Sequence, residues 1–275
     1  FSFKTTDIVL KGVLHSADIF APINEPLVVM PDYALGFKKQ LPQEGLAAYG
    51  GKAKYYNSID LSTNGLLGTG RWDFGASKSE SKMFVFHPDS MFCETTKFTY
   101  ESPQVNVTKT KETFYKQQNY MLVEQKAEEF NMYADNHSIQ NGLLRVYPNA
   151  LTGSGENITD EMIVKSDLIK YLPDSFASDS ADFTLKALDG NSVAFHAQNV
   201  KASVDYKTKQ GTFTTKNGLQ KNDLPYLQYE CYVDRFSWDM QNKLLALQNS
   251  ASTNGGGFEN KPLKEIIDLP QPGAT

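Results

Sequence analysis

Two cysteines, four histidines and two tryptophans are all that 275 residues hold of those types. The scarcity excludes more than it suggests. Cys93 and Cys231 form no C-x-x-C pair, so neither a thiol-redox motif nor a zinc ribbon is written here. Both read as small buried or half-buried strand residues, and a disulfide between them stays open on sequence alone. His15, His87, His137 and His196 are dispersed without metal-ligand spacing, and no cofactor is implied. There is no G-x-S-x-G, no H-E-x-x-H and no glycine-rich phosphate loop leading into a helix. No Lys/Arg block stands out, and the net charge is −5, so nucleic acid is excluded as a partner. No apolar run approaches the roughly 18–20 residues of a membrane-crossing helix. The first residues, Phe1-Ser2-Phe3-Lys4, show no initiator Met and no signal-peptide pattern, and Pro270–Thr275 carries no natural stop. The expectation is a piece of a longer polypeptide.

What is present is aromatic and repetitive. Seventeen Phe and fourteen Tyr suit strands, where flat rings pack on a pleated face. Leu67-Gly68-Thr69-Gly70 returns as Thr152-Gly153-Ser154-Gly155, and Pro88-Asp89-Ser90 returns unchanged as Pro173-Asp174-Ser175. Ser81 returns as Ser166 and Phe98-Thr99 as Phe183-Thr184, all at one interval of 85 residues. Beyond this cassette the alignment matches Val105–Phe114 with Val204–Phe213 at an interval of 99, then Phe130 with Phe236 at 106. The added residues fall near Asp189-Gly190-Asn191 and Lys216-Asn217-Gly218, where turn chemistry tolerates insertion. Gly-x-Gly supplies positive φ or close backbone approach. Pro-Asp-Ser supplies a turn with a fixed φ and a side chain that bonds nearby backbone.

Period-2 apolar spacing in Arg71–Phe74, Lys82–Phe86 and Leu168–Tyr171 predicts half-buried strands. Phe37–Glu44 reads as a loop. Helical spacing is confined to Asp239–Gln248 and Pro262–Asp268, and Gly255-Gly256-Gly257 reads as a flexible loop. The fold expected is all-β with few short helices, a repetitive β-solenoid or stacked β-sheet of β-helix-like or β-jellyroll-like kind. A pair of sandwich-like units, or one irregular sandwich with a duplicated ancestor, also fits. Four segments follow: 1–64 continuing the array, 65–140 and 141–248 as two β repeats, and 249–275 as a loop and connection to a longer chain.

Candidate sites are few. Asp174, Asp179 and Asp182 could hold Ca²⁺ or serve as paired carboxylates. Their counterparts at the same interval are Asp89, Glu94 and Lys97, which favours a solvated turn and edge charges. Tyr55, Tyr56, Tyr115, Tyr229 and Tyr232, with Tyr120 and Tyr226, are candidates for a ligand surface, since exposed rings stack on sugars or cover an apolar groove.

On Gly65–Gly70, Leu151–Gly155, Phe236-Ser237-Trp238-Asp239-Met240 and the closing Asp268–Thr275, the chain resembles large repeat-bearing envelope proteins of Bacteroidetes-type Gram-negative bacteria. No activity is assigned to that group, so the resemblance transfers no catalytic residues. It is similar in style, not in motif, to the lipopolysaccharide-transport bridge proteins, whose stacked β-jellyroll forms an apolar trough. The resemblance implies an exported protein, periplasmic, outer-membrane-associated or at the cell surface. Its partners would be the rest of its polypeptide and an envelope protein, lipid or glycan. Three functions are expected in turn: a non-catalytic structural or binding segment, an apolar groove for a lipid or other hydrophobic ligand, and a glycan-binding or carbohydrate-active β module.

Overall fold

The computed structural model describes residues 8–24, 27–30, 36–62, 65–126, 129–133 and 137–249. The protein is nearly all β. Among the described residues the strands are β1 (Ile8–Leu10), β2 (Leu27–Met30), β3 (Gly36–Gln40), β4 (Leu46–Ala48), β5 (Ala53–Ser62) and β6 (Gly65–Phe74). Next come β7 (Ser77–Phe86), β8 (Ser90–Glu94), β9 (Lys97–Tyr100), β10 (Val105–Val107), β11 (Thr110–Tyr115) and β12 (Tyr120–Gln125). They are followed by β13 (Phe130–Asn131), β14 (Ser138–Tyr147), β15 (Ala150–Ile158), β16 (Met162–Leu172), β17 (Ser175–Lys186) and β18 (Val193–Asp205). The last are β19 (Gln210–Thr215), β20 (Gln220–Leu224), a 3-10 turn at Pro225–Leu227, β21 (Tyr229–Val233), β22 (Arg235–Asp239) and β23 (Leu244–Gln248).

The described residues form two compact units, the first from those within 8–130 and 143–151, the second from those within 131–142 and 152–249. In the first, β5, β6 and β7 pair antiparallel in sequence order, and β7 then pairs with both β8 and β9. β8 and β9 pair in turn with β11 and β10, and β11 forms a hairpin with β12. In the second unit the single strand β17 takes the place of β8 plus β9, with register shifts between Ser178 and Ala181, and β18 takes the place of β10 plus β11.

The registers correct the later part of the sequence alignment. Ser90 faces Tyr115, whereas Ser175, its counterpart, faces Asp205. Phe98 faces Val107, whereas Phe183 faces Ala197. The interval beyond the cassette is therefore 90 residues, not 99, and Phe114 matches Val204 rather than Phe213. Leu144 faces Val123 just as Phe236 faces Phe213, so Phe236 matches Leu144 and not Phe130. Matching by shared aromatic letters had slipped to the neighbouring strand.

Other expectations also change. Phe37–Glu44, read as loop, begins in strand β3 (Gly36–Gln40), which pairs with β5. Asp239–Gln248, read as helical, is a hairpin: Asp239 Oδ1 accepts the N–H groups of Gln241 and Asn242 at 2.9 Å each, and this turn reverses β22 into β23. The leucines that suggested a helix lie on β23. Pro262–Asp268 and Gly255–Gly257 fall outside the described residues.

Each unit has a filled aromatic core. In the first, the Phe114 ring lies 5.0 Å from Phe74, 5.4 Å from Trp72 and 5.2 Å from Tyr49. In the second, Phe213 lies 4.2 Å from Phe183 and 4.7 Å from Phe236, and Phe195 lies 4.9 Å from Phe236. Each such ring removes about 150–250 Å² from water, so these clusters dominate the burial in their unit.

The glycine pair marks a close approach. A Cβ on Gly70 would stand 2.0 Å from the Tyr56 carbonyl oxygen, and one on Gly155 would stand 2.7 Å from Gly142 Cα. Both glycines have positive φ, 155° and 123°. Gly70→Ala is expected to lower unfolding free energy by about 3 kcal/mol or more, since the obstacle is backbone that cannot swing aside. Gly50→Ala, at φ 70° with nothing within 4 Å, is expected to cost only about 1–2 kcal/mol. Urea unfolding of the two variants checks the difference.

Candidate functional site

The repeated Pro-Asp-Ser corners are held by tyrosines. Tyr49 Oη donates to the Ser90 carbonyl at 2.6 Å, with the His87 carbonyl 2.8 Å away. Tyr133 Oη donates to the Ser175 carbonyl at 2.6 Å. Both tyrosines sit at positive φ, 50° and 61°, a costly backbone for a bulky side chain. Each phenol is pushed far up by burial, so the hydroxyl stays a donor. The backbone at the corner matches too: Lys116 N–H donates to the Asp89 carbonyl, and Tyr206 N–H to the Asp174 carbonyl, each at 2.9 Å.

Beyond the corner the ladder between the third and fourth strands breaks. β7 pairs with β8 from Phe84 to Phe86 and with β9 from Ser77 to Glu80, leaving residues 81–83 between. In β16 the break spans residues 166–169. A serine bridges each gap. Ser81 Oγ donates to the Glu94 carbonyl at 2.6 Å and accepts from Met83 N–H at 3.1 Å. Ser166 Oγ donates to the Ser180 carbonyl at 2.6 Å and accepts from Leu168 N–H at 3.1 Å.

A cleft opens over each break, of about 470 Å³ in the first unit and about 440 Å³ in the second. Every lining position of the second has its counterpart in the lining of the first. Ser166 answers to Ser81, Leu168 to Met83, Ala177 to Phe92, Ser178 to Cys93, Asp179 to Glu94 and Lys201 to Lys111. Met83 and Leu168 stand at the lips with 59% and 52% of their surface exposed. Lys201 pairs with Asp179 at 3.7 Å, while in the first unit Lys111 pairs with Glu124 at 3.6 Å and Glu94 with Lys126.

The first cleft has a polar floor. Glu112 is fully buried, and Thr110 Oγ1 donates to its Oε1 at 3.0 Å. Thr110 Oγ1 in turn lies 2.7 Å from Thr95 Oγ1, which lines the cleft. Cys93 Sγ approaches Glu112 Oε2 at 3.9 Å. Burial lifts the Glu112 carboxyl to about 7, against the pull of the surrounding hydroxyls and thiol. The Cys93 thiol is pushed well up by burial and then by Glu112.

The residues singled out from sequence scatter. Tyr55 is fully buried in the first core, its Oη donating to the Ser58 carbonyl, so it is not a surface residue. Tyr56 is half-buried beneath Arg71, whose guanidinium lies 3.9 Å from the ring centre. Tyr115 packs on Tyr120, which packs on Tyr147, at 5.2 and 5.7 Å. Tyr229 and Tyr232 are exposed, with Tyr226, at 50%, 55% and 45%. Asp182 Oδ1 accepts the Asn199 N–H at 3.0 Å while Asp179 pairs with Lys201, so these acids serve separate partners. Among the described residues no group of three or more His, Cys, Asp or Glu is placed to hold a metal. Both cysteines are free, Cys93 buried and Cys231 half-buried. No helix among them is long and apolar enough to cross a membrane. Sequence reasoning missed Glu112, Thr110 and the two corner tyrosines. A faint signal existed in Tyr49 and Tyr133, which precede their Pro-Asp-Ser corners by nearly equal distances.

No protein-family model matches the chain, and no match was found among curated proteins or solved structures.

His137 supplies a pH test in the second unit. Its ring is buried 5.3 Å from Tyr133 and 5.9 Å from Phe176, and burial lowers its pKa from 6.5 to about 4. The unfolded chain therefore binds this proton more readily. The contribution is fully present above pH 6.5 and is lost as pH falls toward 4, amounting to about 3 kcal/mol. His137→Gln is expected to flatten this acid limb, read from unfolding free energy between pH 4 and 7.

Proposed function

We propose that this chain is a non-catalytic structural or binding segment of a large exported envelope or surface protein, built by repetition, with one cleft per unit as its contact surface. The observation that carries the reading is the recurrence of the cleft, lining position by lining position, over a ladder break bridged by the same serine. A catalytic centre needs one special constellation; a contact surface gains from being presented again. In this reading the array is of the stacked-sheet, solenoid kind. One closing strand pair recurs three times, as β3–β5, β12–β14 and β19–β22. The filled aromatic cores support a scaffold over a lipid-conducting trough, which would require an open apolar interior.

Amide exchange of the full chain, with and without outer-membrane vesicles or purified peptidoglycan, tests the proposal. Joint protection of residues 81–96 and 166–180 is expected. Met83→Asp combined with Leu168→Asp is expected to abolish it with little change in Tm, because both side chains are exposed. Protection located elsewhere, or none with either material, would refute the contact surface.

A further inference from the structure

The solvent face of the first unit carries a row of rings. Along β11, β12 and β14 the inward positions Phe114, Met121 and Val146 are buried in register. Side chains alternate along a strand, so Tyr115, Tyr120 and Tyr147, one position away, stand on the opposite face. Tyr115 faces Tyr120 directly, and the ring centres step 5.2 Å and then 5.7 Å along the row. The planes tilt by 37° at both steps, so neither is the edge-to-face contact that hides one ring's face under the next ring's edge. All three rings are half-buried, and none of their hydroxyls has a hydrogen-bond partner among the described residues.

Arg145 stands on the same face of β14, two residues before Tyr147 and opposite Leu122. It is half-buried, and no carboxylate among the described residues pairs with it; Glu124, on the adjacent strand, is held by Lys111 at 3.6 Å. Its charge reaches the row: burial and then Tyr115 push the Tyr120 phenol up, and Arg145 pulls it the other way. The second unit shows what this backbone needs at the same places. Asp205 faces Gln210 as Tyr115 faces Tyr120, Gln210 faces Asp239, and Thr212 faces Ser237 as Leu122 faces Arg145. The counterparts of the three rings and the guanidinium are therefore Asp205, Gln210, Asp239 and Ser237. There the two carboxylates hold the turns that follow them, accepting from Thr208 N–H and from Gln241 and Asn242 N–H. The architecture calls for neither rings nor a cation at these positions.

We propose that Tyr115, Tyr120, Tyr147 and Arg145 bind an acidic polysaccharide laid across the strands of the first unit. Sugar rings rest their apolar faces on the phenols, whose unpartnered hydroxyls meet sugar hydroxyls. Arg145 takes a sugar carboxylate through its two-pronged donor edge. Charge selects the ligand, since this guanidinium lacks an acid partner in a chain whose net charge is −5. A protein partner fits less well: three half-buried rings open roughly 200 Å² of aromatic surface, against roughly 800 Å² per partner in a stable protein interface. The second unit, with two carboxylates in the same places, repels this ligand. None of the four residues lines the cleft, so the site does not depend on what the clefts contact.

The test is affinity electrophoresis of the full chain in gels holding polygalacturonate, alginate or hyaluronan, with fully methyl-esterified pectin and dextran as uncharged controls. Retardation by at least one acidic polymer, and by neither control, is expected. Transplanting the second unit's residues (Tyr115→Asp, Tyr120→Gln, Arg145→Ser, Tyr147→Asp) should abolish it in a chain whose Tm shows it folded. Arg145→Gln alone should weaken binding at least about tenfold, and Arg145→Lys should restore only part of the loss. Tyr120→Ala, which leaves the charge unchanged, should weaken it by about as much. Lys78→Gln, which removes one charge outside the row, should leave the retardation as it was. Amide exchange with the retarding polymer should show protection at residues 113–122 and 145–149. The proposal falls if no acidic polymer retards the wild-type chain, if the neutral polymers retard it equally, or if the transplanted or Tyr120→Ala chain is retarded as strongly.

Discussion

A phenol hydroxyl given to one corner carbonyl sets the geometry on which each unit depends. Tyr49 on Ser90, and Tyr133 on Ser175, determine where the fourth strand begins. Because side chains alternate along a strand, a shift of one residue there would send every inward ring to the solvent face. The corner therefore has to be held more firmly than a solvated turn could be. A buried hydroxyl at 2.6 Å does so, and the left-handed backbone at each tyrosine is strain that the bond and the surrounding rings sustain.

From that fixed start the rest of the geometry follows. The third strand must bend to pair with the fourth, and the glycine that lets the first two strands approach lies next to the bend: the β6–β7 register shifts between Gly68 and Gly70. A bend breaks the ladder, a broken ladder exposes backbone polar groups, and Ser81 or Ser166 answers them with one hydroxyl. The cleft is the space left over the break. Glycine, corner, serine and cleft are therefore parts of one solution to a single constraint, which is why they recur together at one interval.

Much of this was legible in the sequence, with a boundary that has a physical cause. Gly68, Ser81 and Pro88 matched their counterparts because turns and bulges accept few residue types, so chemistry at those positions is constrained letter by letter. The matching of Phe114 with Phe213 went astray because a core position asks only for apolar volume, and Val204 fills it as well as a ring does. Tyr55 looked like a ligand platform and is core, since sequence does not say which face of a strand is buried when both carry aromatics. Asp239–Gln248 imitated a helix because Met240 in the turn and the leucines of β23 that follow it fall at loose helical spacing by accident. Glu112 gave no signal at all: Lys111-Glu112 on a strand reads as two solvated charges, and only pairing opposite Cys93 puts the carboxyl indoors.

Differences between otherwise equivalent units separate what the fold needs from what it merely carries. Positions alike in both units, such as Ser81 and Ser166, answer to backbone demands common to any copy. Where the units diverge, shared backbone chemistry is not the reason. Some divergences trade one apolar side chain for another, as Met83 and Leu168 do, and are cheap under close packing. The exchange of Val164, Val200 and Ala202 for Ser79, Thr110 and Glu112 is of another kind. It replaces dispersion contacts with groups that must be desolvated, and the hydrogen bonds among them return only part of that cost. Buried Asn157 in the second unit stands where buried Trp72 stands in the first, so exchanges of this costly kind reach the core of either unit.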